Sequence, residues 1–148
     1  MNDNPLLDDS GLPRFASIRA EHVTPAIDRI LDDARATVER IATDTREPSW
    51  ASVAEPLADA LERLHRAWGA VRHLNAVVNT PELRDVYNGN LGKITSFYTD
   101  LGQDERLHAK YRALAASSEF ASLDAARRRV IENELRDFRL SGAELPAA

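Results

Sequence analysis

The stretch from Ser49 to Thr80, SWASVAEPLADALERLHRAWGAVRHLNAVVNT, decides the predicted fold. Its apolar side chains recur every three or four residues, with one gap of seven, which is the period of an α-helix. The members of this apolar stripe are Trp50, Val53, Leu57, Leu61, Leu64, Trp68, Val71 and Val78. We expect Ser49 to cap the helix, and Asn79 and Thr80 to end it. The pattern therefore predicts one long helix with a continuous buried face.

The same helical period recurs on both sides of this stretch. We predict a helix over residues 25–42 that is capped by Thr24 and begins at Pro25. Thr80 should cap a further helix over residues 81–102, whose buried face includes Leu91. Two shorter helices are expected over residues 104–116 and 125–142, the second after an Asp124 cap. No alternating β-strand pattern is present, so the predicted fold is all-α, with about five helices in an antiparallel helical array.

The first 20 residues differ from the rest of the chain. Asn4-Pro5, Gly11 and Leu12-Pro13 all disfavour helix, so residues 1–20 predict an extended arm before a helical domain of residues 21–148. The arm has five apolar side chains that could anchor it to a surface: Leu6, Leu7, Leu12, Phe15 and Ile18. It contains no long apolar run, so we expect neither a signal peptide nor a membrane span.

The amino-acid composition of the chain limits the classes of function that we expect. The chain has 148 residues, 43% hydrophobic and 29% charged, which is typical of a soluble globular domain with a core of its own. A formal net charge of −5 argues against a nucleic-acid partner, which needs a clustered basic surface. Because there is no cysteine, disulfides, thiolate metal sites and cysteine nucleophiles are excluded, and this suits a reducing cytosol.

The tetrapeptide ERLH occurs twice, at Glu62–His65 and at Glu105–His108. Glu-x-x-His on a helix is the ligand spacing of two-metal sites in four-helix bundles. At about 100° per residue, however, each histidine falls on the flank of its helix and each glutamate on the far side from the apolar stripe. Such groups cannot converge on one ion. The spacing therefore favours exposed pairs that stabilise each helix by roughly 0.2–0.5 kcal/mol.

No other motif predicts chemistry. The sequence has no His-Glu-x-x-His, no Gly-x-Ser-x-Gly and no phosphate-binding loop. His22 is expected to make a local structural contact, and His65 and His73 lie two turns apart on one helix. The run 127–129 of three arginines should form a solvated face with Glu132 nearby. We therefore predict no catalytic, cofactor-binding or metal-ligating residue in this chain.

Whole phrases of the sequence nevertheless resemble a known family. They are NPLL at 4–7, GLPRFASIRAEHVTPAI at 11–27, RAWGAVRHLNAVVNTPELRDVYN at 66–88 and LAASSEFASLDAARRRVIENELRDFRLSG at 114–142. In this order they resemble the N-terminal region of the thimet-oligopeptidase family of zinc metallopeptidases. The resemblance spans nearly the entire chain.

The resemblance implies a parent enzyme that is cytoplasmic, several times longer and specific for short peptides. Such enzymes have two lobes around a deep channel, and a His-Glu-x-x-His zinc site far beyond the matched region. No position here matches that motif. We therefore expect this chain to form part of the non-catalytic lobe, to wall the channel, and to be inactive alone. It would need no cofactor of its own, and its partner would be the remainder of the peptidase chain.

An alternative from a different class remains open at this stage. The chain could be a short, free-standing helical module that binds a peptidase or another protein through its apolar stripe and arm. Two residues bear on packing in either case. Trp68 lies in the middle of the stripe, and the amide of Asn75 lies on the same side. Because a buried amide needs partners, we expect Asn75 to bond a neighbouring helix or the arm.

Overall fold

The computed structural model describes residues 4–142 and contains six α-helices and no β-strand within them. The helices are α1 (Ala20–Thr43), α2 (Glu55–Val77), α3 (Pro81–Gly102), α4 (Glu105–Ala115), α5 (Ser118–Ser122) and α6 (Ala125–Leu140). The predicted all-α class is confirmed. The sixth helix is the short α5, which lies where the two serines 117 and 118 predict only a break. Ser117 caps it, because its side chain accepts a hydrogen bond from the Phe120 amide.

The start of α1 differs from the prediction. The helix begins at Ala20, so Pro25 lies inside it and Thr24 is not its cap. Pro25 has no amide to donate to Glu21, one turn earlier, which costs one helical hydrogen bond. Burial of Val23 and Ile27, both 0% exposed, offsets this loss. Tertiary packing therefore extends the helix through a residue that local preference would place at its first position.

Most of the predicted helix ends are confirmed. Ser49 caps a π-helical turn, Trp50–Ala54, that leads into α2, and its side chain accepts from the Ser52 amide. The Thr80 hydroxyl accepts from the Leu83 amide at 3.2 Å at the start of α3. Asp104 and Asp124 cap α4 and α6 through their carboxylates. These caps satisfy amides that have no partner inside the helix.

The chain forms two compact units. Within the described residues, unit 1 combines residues 4–35 with Asp59–Thr95, and unit 2 combines Ala36–Ala58 with residues 96–142. The buried side chains of unit 1 are mainly aliphatic and include Leu6, Ile18, Val23, Ile27, Ile30, Leu31, Leu64, Val71, Leu83 and Ile94. Those of unit 2 include Ile41, Val53, Leu57, Phe97, Leu107, Tyr111, Leu114, Ile131 and Phe138.

The N-terminal arm contacts unit 1 through a few of its predicted anchors. It contains two 3₁₀ turns, Pro5–Leu7 and Phe15–Ser17. Leu6 and Ile18 are buried, and the Asn4 side-chain amide donates to the His22 carbonyl at 2.8 Å. The prediction that Leu12 anchors the arm is wrong, because this side chain is 91% exposed.

Two predicted core positions on the helices are also wrong. Val78 follows the last residue of α2 and is exposed, because the chain turns there through Asn79 with a φ of 52°. Leu91 is exposed, and its neighbour Asn90 is buried instead. Asn90 fits the helical period of the buried α3 side chains better than Leu91 does, although it is polar. Within residues 4–142, no helix combines the length and the apolar character needed to cross a membrane.

Candidate functional site

The two Glu-x-x-His pairs have different environments. On α2, Glu62 and His65 are both exposed, as predicted. On α4, Glu105 is exposed but His108 is only 5% exposed. Its ring lies 5.4 Å from that of Phe138, with 30° between the ring planes. The prediction of an exposed pair is therefore wrong for His108, because α6 packs against α4 and its Phe138 covers the imidazole.

Neither pair is arranged to hold a metal ion. Structural and catalytic zinc sites need three or four ligands that converge on one point. Within residues 4–142, no group of three or more histidine, aspartate and glutamate side chains meets that condition. The zinc that the family resemblance implies does not fit the residues that the structure describes.

The other two histidines make structural contacts in unit 1. The Arg19 amide donates to Nδ1 of His22 at 3.0 Å, in the first turn of α1. This confirms the predicted local role of His22. His73 on α2 makes an edge-to-face contact with Phe15 of the arm, at 5.4 Å between ring centroids. Both contacts help to hold the arm against α1 and α2.

Charged side chains join the arm to the helices of unit 1. Nε of Arg63 on α2 contacts the Asp9 carboxylate at 3.1 Å, and its Nη1 lies 3.4 Å from Asp33 on α1. Lys93 on α3 pairs with Asp28 on α1. These side chains are partly exposed, so each pair contributes on the order of 0.2–1 kcal/mol. They position the arm and the helices and do not form a reactive group.

Asn90 is the buried polar residue that sequence reasoning missed. It is 1% exposed, and its amide nitrogen donates to the Thr24 hydroxyl at 2.8 Å and to the Val86 carbonyl at 2.7 Å. Its oxygen Oδ1 has no hydrogen-bond partner within residues 4–142, and the same is true of Oδ1 of Asn75. We expected the Asn75 amide to form hydrogen bonds to a neighbouring helix or the arm, and its oxygen forms none within residues 4–142. The spacing of Asn90 from Leu83 and Ile94 was the signal that could have identified it.

The titratable groups between α4 and α6 are enclosed by apolar packing. Tyr111 on α4 is buried, and its ring lies 5.8 Å from that of Phe138. Burial raises the pKa of the Tyr111 phenol, and the nearby Glu134 carboxylate raises it further. Burial also raises the pKa of Glu134, with a smaller effect from Asp137. Because His108 and Tyr111 are covered, we assign this cluster to packing of unit 2.

The three arginines at 127–129 lie on a solvated face of α6, as predicted. The Arg127 guanidinium lies 5.2 Å from the centre of the Trp50 ring, a cation–π distance. Arg129 pairs with Glu132 at 3.2 Å, one turn later on the same helix. These contacts link α6 to the π-helical turn of unit 2 and neutralise part of the positive charge.

These observations define a class: an all-helical domain in which the polar contacts described above cap helices, pack in the two units and attach the arm. The family model "Neurolysin/Thimet oligopeptidase, N-terminal domain" matches residues 27–148. The chain therefore belongs to the family of neurolysin and thimet oligopeptidase N-terminal domains.

Curated relatives agree with the family assignment. The chain is 41% identical over 143 residues to oligopeptidase A of Salmonella typhimurium, an alignment that covers 97% of this chain and 21% of the relative. It is 42% identical over 144 residues to oligopeptidase A of Haemophilus influenzae, covering 96% and 21%. It is 35% identical to the probable cytosolic oligopeptidase A of Arabidopsis thaliana, covering 98% and 20%. The chain thus spans about a fifth of the length of the curated relatives it matches.

Proposed function

We propose that this chain is the N-terminal helical part of an oligopeptidase that hydrolyses short peptides, and that its own role is structural. One observation carries the proposal: 97% of this chain aligns with only 21% of the Salmonella oligopeptidase A chain. An N-terminal domain of that family would act together with the remaining four-fifths of the polypeptide. Alone, the chain would not hydrolyse peptides.

The proposed mechanism is steric. The helices α1, α2 and α3 have 24, 23 and 22 residues. At 1.5 Å per residue each is roughly 33–36 Å long, which suits the wall of a deep channel. A wall of packed helices does not deform to admit a folded protein, because protein interiors are close-packed. Flexible short peptides could enter, whereas folded substrates would be excluded.

Zinc chemistry belongs to the rest of the polypeptide in this proposal. The described residues offer no convergent set of ligands, so we derive no catalytic step from this chain. One relative is named as a probable cytosolic oligopeptidase A, and this supports a cytoplasmic location for the parent enzyme.

A chimera tests the proposed function. The N-terminal region of Salmonella oligopeptidase A would be replaced by this chain, and hydrolysis of a short fluorogenic peptide would be measured with and without a chelator. We expect the chimera to hydrolyse the peptide and the chelator to abolish this hydrolysis. This chain alone should not hydrolyse the peptide. The matched control is the Salmonella enzyme with its N-terminal region deleted. This enzyme should either be inactive or hydrolyse folded proteins as well as short peptides. Chelator-sensitive hydrolysis by this chain alone would refute the structural role.

The mass of the native protein separates this proposal from the alternative of a free-standing module. An antibody against this chain would capture the protein from its source cells for intact-mass measurement. A mass several times 16.4 kDa supports the peptidase domain. A mass near 16.4 kDa contradicts it and favours a short interaction protein.

A further inference from the structure

His22 connects the N-terminal arm to the first turn of α1 through three of its atoms. Its imidazole Nδ1 accepts a hydrogen bond from the Arg19 amide at 3.0 Å, and its own amide donates to the Arg19 carbonyl at 3.0 Å. Its carbonyl accepts from the side-chain amide of Asn4 at 2.8 Å. Asn4 is held in turn by the Leu6 amide, which donates to its Oδ1 at 3.0 Å. One histidine therefore holds both ends of the described arm.

The hydrogen bond to Nδ1 of His22 caps the start of α1. The helix begins at Ala20, so Arg19 precedes it and His22 is its third residue. At this third position a glutamate or glutamine side chain commonly accepts from the amide of the residue before the helix. Here an imidazole takes that place. Because Nδ1 accepts only when it carries no proton, the bond requires a neutral ring with its proton on Nε2.

Protonation of His22 removes this capping bond. Both ring nitrogens of an imidazolium are donors, so Nδ1–H would face the N–H of Arg19. The added positive charge would also lie in the first turn of α1, where the helix dipole disfavours a cation. Glu21 offers the charged ring another partner, since its Oε1 lies 4.0 Å from Nε2 of His22, beyond hydrogen-bond distance. The first turn therefore has two arrangements, with the neutral ring bonded to Arg19 or the charged ring turned towards Glu21.

The ion pairs around the arm do not depend on pH in the range in which histidine titrates. Charged side chains on the arm, α1, α2 and α3 form these pairs: Asp8 with Arg14, Asp9 and Asp33 with Arg63, and Asp28 with Lys93. The Arg19 guanidinium donates to the Ala16 carbonyl at 3.2 Å. Aspartate, lysine and arginine side chains ordinarily keep their charges between roughly pH 5 and 8, whereas histidine changes its charge there. These pairs therefore hold the arm equally well in neutral and mildly acidic buffer.

His73 on α2 is a second histidine in contact with the arm, and its contact is of a different kind. Its ring lies 5.4 Å from the ring of Phe15. A cation within about 6 Å of an aromatic ring is attracted to it, so protonation of His73 does not release Phe15. The bond from Arg19 to His22, in contrast, is lost on protonation.

We propose that His22 is a pH-dependent switch that fastens the arm to α1 when its ring is neutral and loosens the arm when its ring is protonated. The bond from Arg19 exists only above the pH range in which the ring takes up a proton, so attachment weakens as the pH falls. The bond from Asn4 weakens with it, because its acceptor is the carbonyl of the same residue. The switch concerns the arm and the first turn of α1, and it does not depend on the proposed peptidase role.

Hydrogen–deuterium exchange of the complete native polypeptide tests the proposal, with mass spectrometry at about pH 7.5 and about pH 5.5, on either side of the histidine range. Each exchange rate is divided by the intrinsic rate of the same peptide at the same pH, which removes the pH dependence of exchange itself. For peptides within residues 4–24, we expect at least ~5-fold less protection at the lower pH, as for the loss of a helix cap. Peptides from α3, which contains no histidine, should not lose protection. An equal loss in α3, or no loss in the arm, would overturn the proposal.

Two substitutions of His22 separate its role as an acceptor from its titration. His22→Gln keeps an acceptor that does not titrate, so the protection of the arm should differ by less than ~2-fold between the two pH values. His22→Phe has no acceptor, so its arm should have the low protection of the acidic state already at neutral pH. The matched control His73→Gln removes the other histidine that contacts the arm, and it should respond to pH like the unsubstituted polypeptide.

The comparison of the two glutamine variants decides the outcome. A pH response in His22→Gln as large as in the unsubstituted polypeptide would overturn the proposal, and so would the loss of the response in His73→Gln. Circular dichroism at neutral pH establishes that each variant is folded. If His22→Phe does not fold, His22→Gln and His73→Gln still give the answer, because glutamine can accept the capping bond at position 22.

Discussion

Among residues 4–142, Asn90 of unit 1 and His108 of unit 2 are strongly buried polar side chains, and the two are accommodated in different ways. In unit 1, Asn90 is buried and its side-chain amide donates hydrogen bonds to the Thr24 hydroxyl and the Val86 carbonyl. In unit 2, His108 lies against the ring of Phe138, close to Tyr111. Unit 1 therefore depends on hydrogen-bond geometry at one amide, whereas unit 2 depends on the volume and shape of aromatic rings. The two units should respond to different kinds of substitution.

The largest effect is expected from removing an aromatic ring in unit 2. Phe138→Ala should destabilise the domain by about 3–5 kcal/mol, because it deletes a buried ring that covers both His108 and Tyr111. Urea unfolding followed by circular dichroism measures this change. The control Leu140→Ala removes an exposed side chain from the same helix and should change stability by less than about 0.5 kcal/mol. Equal unfolding midpoints for the two variants would show that packing of Phe138 against His108 and Tyr111 does not stabilise unit 2.

A polar substitution should have its strongest effect in unit 1. Asn90→Asp replaces the donating amide by a carboxylate that faces the Val86 carbonyl. The Thr24 hydroxyl can donate to this carboxylate, but a buried charge that is not compensated costs about 3 kcal/mol or more. The same change at Asn88, which is exposed on the same helix, is the matched control. We expect the Asn90 variant to regain stability at acidic pH, where the carboxyl group is protonated, and the Asn88 variant to show no such recovery. Equal unfolding midpoints for the two variants at neutral pH would contradict the hydrogen-bonded role of Asn90.

Helix caps should give an intermediate effect and allow a comparison between the units. Asp124→Ala removes the acceptor of the Arg127 amide at the start of α6, and should cost about 1 kcal/mol. Thr80→Ala removes the longer bond to the Leu83 amide in unit 1 and should cost less. Asp124→Asn retains the acceptor and serves as the control. A loss in Asp124→Asn as large as in Asp124→Ala would show that charge, and not capping, stabilises this end.

The smallest effect concerns the pH dependence of unit 2. The pKa of Glu134 is raised in the folded state by burial, so its ionised form destabilises the fold. Its contribution to stability is complete below the ordinary glutamate value of 4.5 and is lost as the pH rises through the raised pKa. Glu134→Gln should therefore reduce the loss of stability between acidic and neutral buffer. Glu132→Gln, at an exposed position of α6, should not reduce it, and identical pH profiles for both variants would argue against burial of Glu134 as the cause.

The parts of the fold that depend on neighbours in sequence were predictable. The bounds of α3, the caps at Ser49, Thr80, Asp104 and Asp124, and the turn at Asn79 all follow from local preferences. The local contact of His22 and the solvated arginines were predictable for the same reason. The exposure of Val78 was not predictable in this way, because its spacing placed it on the apolar stripe.

The sequence by itself determined the all-α class, most helix ends and the family, since these depend on residue spacing, capping and contiguous phrases. Only the tertiary structure decided that α1 passes through Pro25, that Asn90 and His108 are buried, and that Leu12, Val78 and Leu91 are exposed. The physical reason is that spacing fixes which side chains share a helix face, but not which face another element covers. His108 is buried because Phe138, thirty positions away, covers it, and Asn90 is held by Thr24, which lies 66 positions away.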